Sequence, residues 1–178
     1  MYFVAIVLPT HLDEKVIRWK EWMQRHYNCK VGLKSPAHIT LVPPFWMDQS
    51  EEQLLINAVA SISKDLSSFV VSTNNFSAFK PRTIFIDLQK SVELEDAKKA
   101  VDIFFNREER FAAKVDARPF HPHITIATRD LFKKSFYEAW PLFEKEKFIE
   151  EWRVEGISVL RHNKKNWDVI YTSQFQNI

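Results

Sequence analysis

The chain has 178 residues, of which 46% are hydrophobic and 27% are charged, and its formal net charge is +2. This composition is typical of a globular protein and excludes an intrinsically disordered chain. The charge permits an anionic ligand but is too small to indicate a nucleic-acid binder by itself.

Cysteine content and hydropathy exclude further classes of protein. Cys29 is the only cysteine, which excludes an intramolecular disulfide and a cysteine-based zinc cluster. The N-terminal residues lack the basic start, long apolar stretch and cleavage site of a signal peptide. No apolar stretch approaches the roughly 20 residues that a membrane helix needs. We therefore expect a cytoplasmic protein that makes no membrane contact.

The first part of the chain alternates strands and helices. Aromatic and β-branched residues predict strands, and apolar residues at helical spacing predict helices. Ser50 is a plausible N-cap for the second helix, in a capping box with Gln53. The predicted elements are strands at 2–8, 38–42 and 69–79 and helices at 12–28 and 49–66.

The second part repeats this order and adds one strand. The last predicted helix should end before Pro141, because proline disrupts a helix interior. A polar turn at 162–166 joins the two closing strands. The predicted elements are strands at 83–88, 123–127, 152–161 and 167–175 and helices at 91–106 and 130–140.

The repeated order of elements predicts an α+β fold with an internal duplication. We expect a single domain, 1–178, made of two related lobes at approximately 1–80 and 81–178. No linker rich in glycine, serine or proline separates the two lobes, and the chain contains only two glycines.

The strongest functional signal is a tripeptide that occurs twice, as His38–Ile39–Thr40 and as His123–Ile124–Thr125. Residues i and i+2 of a strand point to the same face, so each motif presents an imidazole and a hydroxyl together. If the two strands lie side by side, both pairs converge on one cavity. One imidazole could then deprotonate a water while the other protonates a leaving oxygen, and the threonine hydroxyls could hold a phosphate.

Two other interpretations of these residues stay open. The histidines could be structural residues with local hydrogen bonds, although a coincidental pair of identical motifs at matching places is rare. His121 and His123 share a face and could supply half of a metal site, but no carboxylate or cysteine is spaced with them. The series His121, His123 and Thr125 also partly matches the motif of the histidine-triad nucleotide hydrolases, but Thr125 replaces the third histidine of that motif.

In their sequence contexts, SPAHITLVPPF and FHPHITIATRD, the two motifs resemble those of the 2H phosphoesterase superfamily. The resemblance extends to the order of elements over nearly the whole chain. It implies a bilobal fold in which two antiparallel sheets face a central cleft, with helices packed outside. It also implies cofactor-free hydrolysis of 2′,3′-cyclic phosphates or 2′-5′ phosphodiesters, with His38 and His123 as the catalytic pair and Thr40 and Thr125 as phosphate-binding hydroxyls.

Other residues are weaker candidates for substrate contacts. Arg82 and Arg129 could bind phosphate through their guanidinium groups. Phe45 and Trp46 could stack on a base, although core packing is the more common fate of such a phenylalanine. The basic run at 161–165 could guide RNA or could be a solvated hairpin tip.

The expected partners are RNA ends or small nucleotide cyclic phosphates, with a monomer as the default state and no metal. The rival hypothesis is an RNA-binding or regulatory module of the same fold without turnover.

Overall fold

The computed structural model describes residues 1–111, 113 and 118–176, and the side chain of residue 109 is not among them. The α-helices in this part of the chain are α1 (Thr10–Tyr27), α2 (Glu52–Lys64), α3 (Val92–Arg107) and α4 (Lys133–Phe143). The strands are β1 (Tyr2–Val7), β2 (His38–Phe45), β3 (Phe69–Phe79), β4 (Thr83–Leu88), β5 (His123–Ala127), β6 (Glu151–Val154), β7 (Gly156–His162) and β8 (Trp167–Gln174). Short 3₁₀ helices lie at Val31–Lys34, Gln49–Glu51 and Glu109–Phe111.

These strands form one antiparallel sheet in the order β6-β3-β4-β5-β2-β1-β7-β8. The α+β class is confirmed, but the expectation of two separate sheets is wrong for the described residues. The two motif strands, β2 and β5, are neighbours at the centre of the sheet and pair at Ile39 and Ile124. This pairing joins what would otherwise be two four-stranded sheets.

Each half of the sheet combines strands from before and after residue 80. On one side of the centre, β1 pairs with β7, and β7 pairs with β8. On the other side, β3 pairs with β4 and β6. A boundary at residue 80 therefore does not separate two groups of neighbouring strands, and the internal duplication itself stays a prediction.

The main core lies between one face of the sheet and the helices. Ile39, Ile124 and Ile126 on the central strands are at most 1% exposed and belong to the same cluster as Leu12 of α1 and Leu94 of α3. On the opposite face, the described residues include a small separate cluster formed by Phe3, Ala5 and Leu160. The motif side chains on that second face are consequently left beside an open cleft.

Several element boundaries differ from the sequence-based expectation. The strand expected at 152–161 is split into β6 and β7, which lie on opposite sides of the central strands. The helix expected at 49–66 begins with a 3₁₀ turn, and the side chain of Asp48, rather than that of Ser50, accepts a hydrogen bond at its start. Pro141 is inside α4, close to its end at Phe143. No helix among the described residues is long and apolar enough to cross a membrane.

Candidate active site

The pairing of β2 with β5 sets the arrangement of the two motifs. Ile39 lies opposite Ile124 in antiparallel register, so regular pairing places His38 opposite Thr125 and Thr40 opposite His123. Opposed side chains have Cβ atoms about 4.5–5.5 Å apart, and diagonal ones are about 7–8 Å apart. The two histidines are the diagonal pair.

Both imidazoles are held by the same local hydrogen bond. Nδ1 of His38 donates to the carbonyl of Pro36 at 2.7 Å, and Nδ1 of His123 donates to the carbonyl of His121 at 2.7 Å. A carbonyl can only accept, so each ring carries its proton on Nδ1 and keeps a free lone pair on Nε2 when neutral. Each Nε2 is therefore available to accept or donate a proton.

Burial favours the neutral form of both rings. Burial lowers the pKa of His38 to about 4, and the positive charges of Lys20 and His123 act in the same direction. The pKa of His123 is also lowered by burial, while the nearby carboxylate of Asp87 acts to raise it. The two imidazoles share a motif but differ in their electrostatic surroundings.

Two cavities meet at the motifs, with Thr40 in the wall of both. The larger cavity, of about 340 Å³, adjoins His123 and is also lined by Phe79, Lys98, Arg118 and Phe120. The smaller cavity, of about 160 Å³, adjoins His38 and is also lined by Thr125, Thr128, Arg129 and Trp167. Both histidines and both threonines therefore face the cleft.

Aromatic rings from neighbouring strands support each histidine. Phe3 of β1 lies 4.8 Å from the His38 ring and 4.7 Å from Trp167, measured between ring centroids. Phe85 of β4 lies 4.9 Å from His123, and Phe79 lies 4.4 Å from Phe85. Sequence reasoning treated these four aromatic residues as parts of strands. Their role beside the histidines depends on cross-strand pairing, which local sequence does not reveal.

Of the weaker candidates for substrate contacts, one lines a cavity, one is in an exposed turn and one is in the core. Arg129 lines the smaller cavity, where its backbone has a positive φ of 41°. Arg82 is exposed in the turn between β3 and β4 and is not among the residues that line either cavity. Phe45 is 4% exposed and packs between Tyr2 and Phe105.

Trp46 and the basic run are also outside the cavity walls. Trp46 is 73% exposed and lines neither cavity. In the run at 161–165, the Arg161 guanidinium binds Glu52, the first residue of α2, at 2.7 Å. The pKa of Arg161 is raised chiefly by its hydrogen bond to Glu52. Asn163 accepts hydrogen bonds from the backbone of Lys165 and Asn166, which closes the turn between β7 and β8.

Lys20 was not recognised as a site residue from the sequence. It lies on the buried side of α1 with Val16 and Met23 and is 2% exposed. Its ammonium donates to the carbonyl of Ser35 at 3.1 Å, three residues before His38. Burial lowers the pKa of Lys20 to about 8, which still leaves it mainly charged at neutral pH. A charged residue in an apolar helical stripe was the only sequence signal.

His121, the residue behind the metal hypothesis, has another partner in this structure. Its Nε2 lies 3.3 Å from a carboxylate oxygen of Asp87. Among the described residues there is no group of three or more histidine, cysteine, aspartate or glutamate side chains arranged to hold a metal ion. Asp87 therefore lies close to both histidines of this strand, since it contacts His121 and pairs with His123 in the register of β4 with β5.

The two His-x-Thr motifs thus lie on the two central strands of the sheet and line a common cleft. Residues 8–166 match the family model described as the 2′-5′ RNA ligase superfamily. The chain therefore belongs to the 2′-5′ RNA ligase superfamily of 2H phosphoesterases, and the resemblance found in its motifs is confirmed.

Individual relatives are distant in sequence. The chain is 22% identical over 145 residues to a Bacillus subtilis protein named RNA 2′,3′-cyclic phosphodiesterase, covering 72% of this chain and 70% of that protein. The structure of TT0787 from Thermus thermophilus has a TM-score of 0.70 and 19% identity, covering 99% of this chain and 98% of that chain. E. coli LigT complexed with 3′-AMP has a TM-score of 0.64 and 17% identity, with the same coverage. These two structures share the fold.

Proposed function

We propose that this protein hydrolyses 2′,3′-cyclic phosphates or 2′-5′ phosphodiesters of RNA or nucleotides without a metal, with His38 and His123 together as the acid–base pair. The observation that carries the proposal is the pairing of Ile39 with Ile124, which sets the two histidines diagonally across neighbouring strands. The matching Nδ1–carbonyl hydrogen bonds support it, because they leave both Nε2 atoms free for proton transfer.

The chemistry needs no group beyond these side chains and water. A neutral imidazole takes a proton from water as the water oxygen bonds to phosphorus. The bond from phosphorus to a ribose oxygen breaks, and the protonated second imidazole gives that oxygen its proton. Each acid or base contributes roughly 10²–10⁴-fold to the rate. The hydroxyls of Thr40 and Thr125 donate to the non-bridging oxygens, where negative charge concentrates.

The comparisons support the substrate class. The matched family is named for 2′-5′ RNA joining, and the Bacillus subtilis relative is named a 2′,3′-cyclic phosphodiesterase. Both names concern a phosphodiester at the ribose 2′ oxygen. An ATP-independent joining reaction would be the reverse of hydrolysis at the same site, and we place hydrolysis as the forward role.

The alternative is an RNA-binding module that has the fold but no turnover. Both motifs are complete and both imidazoles face the cleft, which favours the enzyme. Tight binding of RNA ends with no product formed would favour the module.

The test is a substrate panel of 2′,3′-cyclic mononucleotides, oligonucleotides with cyclic ends and 2′-5′ dinucleotides, with the phosphate position of each product assigned. The assay is repeated in a strong chelator. His38→Ala and His123→Ala should each lower turnover by at least about 10²-fold. The matched control is His11→Ala, which changes an exposed histidine at the start of α1. Normal turnover in either His38→Ala or His123→Ala would contradict the two-histidine mechanism.

A further inference from the structure

The backbone segment 35–37 leads directly into β2 and orients the first motif histidine. The carbonyl of Pro36 accepts the hydrogen bond from Nδ1 of His38 at 2.7 Å. Pro36 has no backbone N–H that could anchor it, so the position of its carbonyl depends on its two neighbours. The orientation of the His38 ring is therefore only as well defined as the backbone of this segment.

Two charged side chains of α1 hold the segment, one on each side of Pro36. The Lys20 ammonium donates to the Ser35 carbonyl at 3.1 Å. The Asp13 carboxylate accepts from the backbone N–H of Ala37 at 2.6 Å. The Pro36 carbonyl thus lies between two backbone groups that are each bound to the same helix.

The spacing of the two side chains along α1 suits this role. Asp13 and Lys20 are seven residues apart, which is close to two helical turns, so they lie on the same side of the helix. Lys20 shares the buried stripe of Val16 and Met23 and is 2% exposed. Because both bonds start from one rigid helix, they hold the two ends of the segment at a fixed separation.

Packing alone does not explain a lysine at this position. Burying an ammonium group costs free energy, and an apolar side chain of similar volume would fill the stripe without that cost. Burial lowers the pKa of Lys20 to about 8, while the carboxylate of Asp13 acts to raise it. Lys20 therefore stays mainly charged at neutral pH, and a hydrogen bond from a charged donor is stronger than one from a neutral donor.

We propose that Lys20 and Asp13 are positioning residues for the reaction at the two motifs. From α1 they fix the 35–37 segment, and its Pro36 carbonyl then holds the His38 ring in one orientation and in the Nδ1–H tautomer. This keeps Nε2 of His38 available for proton transfer. Neither Lys20 nor Asp13 is among the residues that line the two cavities, so both act through His38. This inference rests on the proposed function.

The first test reads the tautomer of His38 directly, by long-range ¹H–¹⁵N NMR of the carbon-bound ring protons at pH 7.5. The wild type should show the Nδ1–H tautomer. In Lys20→Met and in Asp13→Ala, His38 should shift towards the Nε2–H tautomer, which a free imidazole favours. His123 is the internal reference, because its Nδ1 donates to the carbonyl of His121 instead, and it should keep the Nδ1–H tautomer in both variants.

The second test measures turnover of the wild type's best substrate from the panel. Lys20→Met and Asp13→Ala should each lower kcat by about 10–100-fold, because a displacement of about 1 Å at a reacting group has an effect of this size. KM should change by less than about threefold, since neither side chain contributes to substrate binding. Asp13→Asn keeps an oxygen that can accept from Ala37 and should recover most of the activity.

Matched controls make the same side-chain changes at exposed positions of α1. Lys15→Met removes an exposed lysine that pairs with Glu150, and Glu14→Ala removes an exposed carboxylate next to Asp13 in the chain. Both controls should keep the wild-type kcat and the wild-type tautomer of His38. Circular dichroism checks that each variant is folded. If Lys20→Met does not fold, the comparison of Asp13→Ala with Asp13→Asn decides the proposal.

The outcomes distinguish positioning from a general structural role. A wild-type His38 in the Nε2–H tautomer would overturn the proposal, and so would equal changes at His38 and His123 in the variants. An unchanged tautomer or an unchanged kcat in a folded variant would overturn the role of the residue that was changed. A wild-type protein that turns over no member of the substrate panel would overturn the proposed function, while the NMR measurement would still show whether α1 fixes the His38 ring.

Discussion

Ile39 and Ile124 pair across the two central strands, and both side chains are fully buried on the helix-covered face. Since strand side chains alternate, burying the isoleucine at the centre of each motif forces the histidine and threonine on either side of it towards the cleft. A slip of one residue in either strand would bury an imidazole and expose an isoleucine. The hydrophobic core therefore holds the register that the site depends on.

Ile39→Ala should lower the free energy of unfolding by about 2–5 kcal/mol, because it removes buried methyl groups and leaves a cavity. Ile39→Val removes one methylene and should cost only about 0.5–1.5 kcal/mol. Urea denaturation of the two variants measures the difference. If Ile39→Ala lowers the free energy of unfolding no more than Ile39→Val does, this side chain does not hold the register of the two strands.

Thr40→Ala and Thr125→Ala should each weaken transition-state binding by about 1.5–3 kcal/mol, the usual value of a hydrogen bond to a charged group. This corresponds to a fall in kcat/KM of roughly 10–150-fold. Thr→Ser at the same positions keeps the hydroxyl and should recover most of the activity. The exposed Thr10→Ala serves as the control for an ordinary threonine. Variants at either motif with unchanged kcat/KM would remove that hydroxyl from phosphate binding.

His38 should make the protein less stable in acid. Its pKa is lowered from 6.5 to about 4 in the folded state, so its contribution to stability is complete above about pH 6.5 and is lost as the pH falls towards 4. In that window the unfolded chain binds a proton that the folded protein does not. The free energy of unfolding should fall in both proteins when the pH is lowered from 7.5 to 5. In His38→Gln this fall should be about 1–2 kcal/mol smaller than in the wild type.

Chemical denaturation at the two pH values measures this change, with the exposed His11→Gln as the control. An equal loss in the wild type and in His38→Gln would show that the His38 ring is not held in its neutral form.

Gly32→Ala should destabilise the wall of the smaller cavity. A Cβ at this position would lie 2.4 Å from the backbone carbonyl oxygen of Ile126 on β5, and a backbone atom cannot move away cheaply. Overpacking of this kind costs typically about 1–3 kcal/mol. Because β5 carries His123 and Thr125, the displacement should also lower turnover. A thermal unfolding curve and a kcat measurement on the same sample test both effects, and wild-type values for both would contradict the close packing.

Local patterns in the sequence predicted most elements for a clear physical reason. The strands expected at 69–79, 83–88 and 123–127 are confirmed. They were predictable because their β-branched and aromatic residues favour strands and show no competing helical pattern. The strand expected at 152–161 was wrong as a single element. Its two parts pair with distant strands, β3 and β1, and no local residue pattern encodes which partner a strand takes.

The residue types and spacing of the two His-x-Thr motifs by themselves determined that each imidazole shares a face with a hydroxyl and that the chain resembles a 2H phosphoesterase. Only the tertiary structure decided what surrounds each imidazole: Asp87 beside His123, and Val7 and Lys20 beside His38. Alternation along a strand is a property of the local backbone, whereas burial and electrostatic surroundings depend on strands and helices that meet only when the sheet has formed.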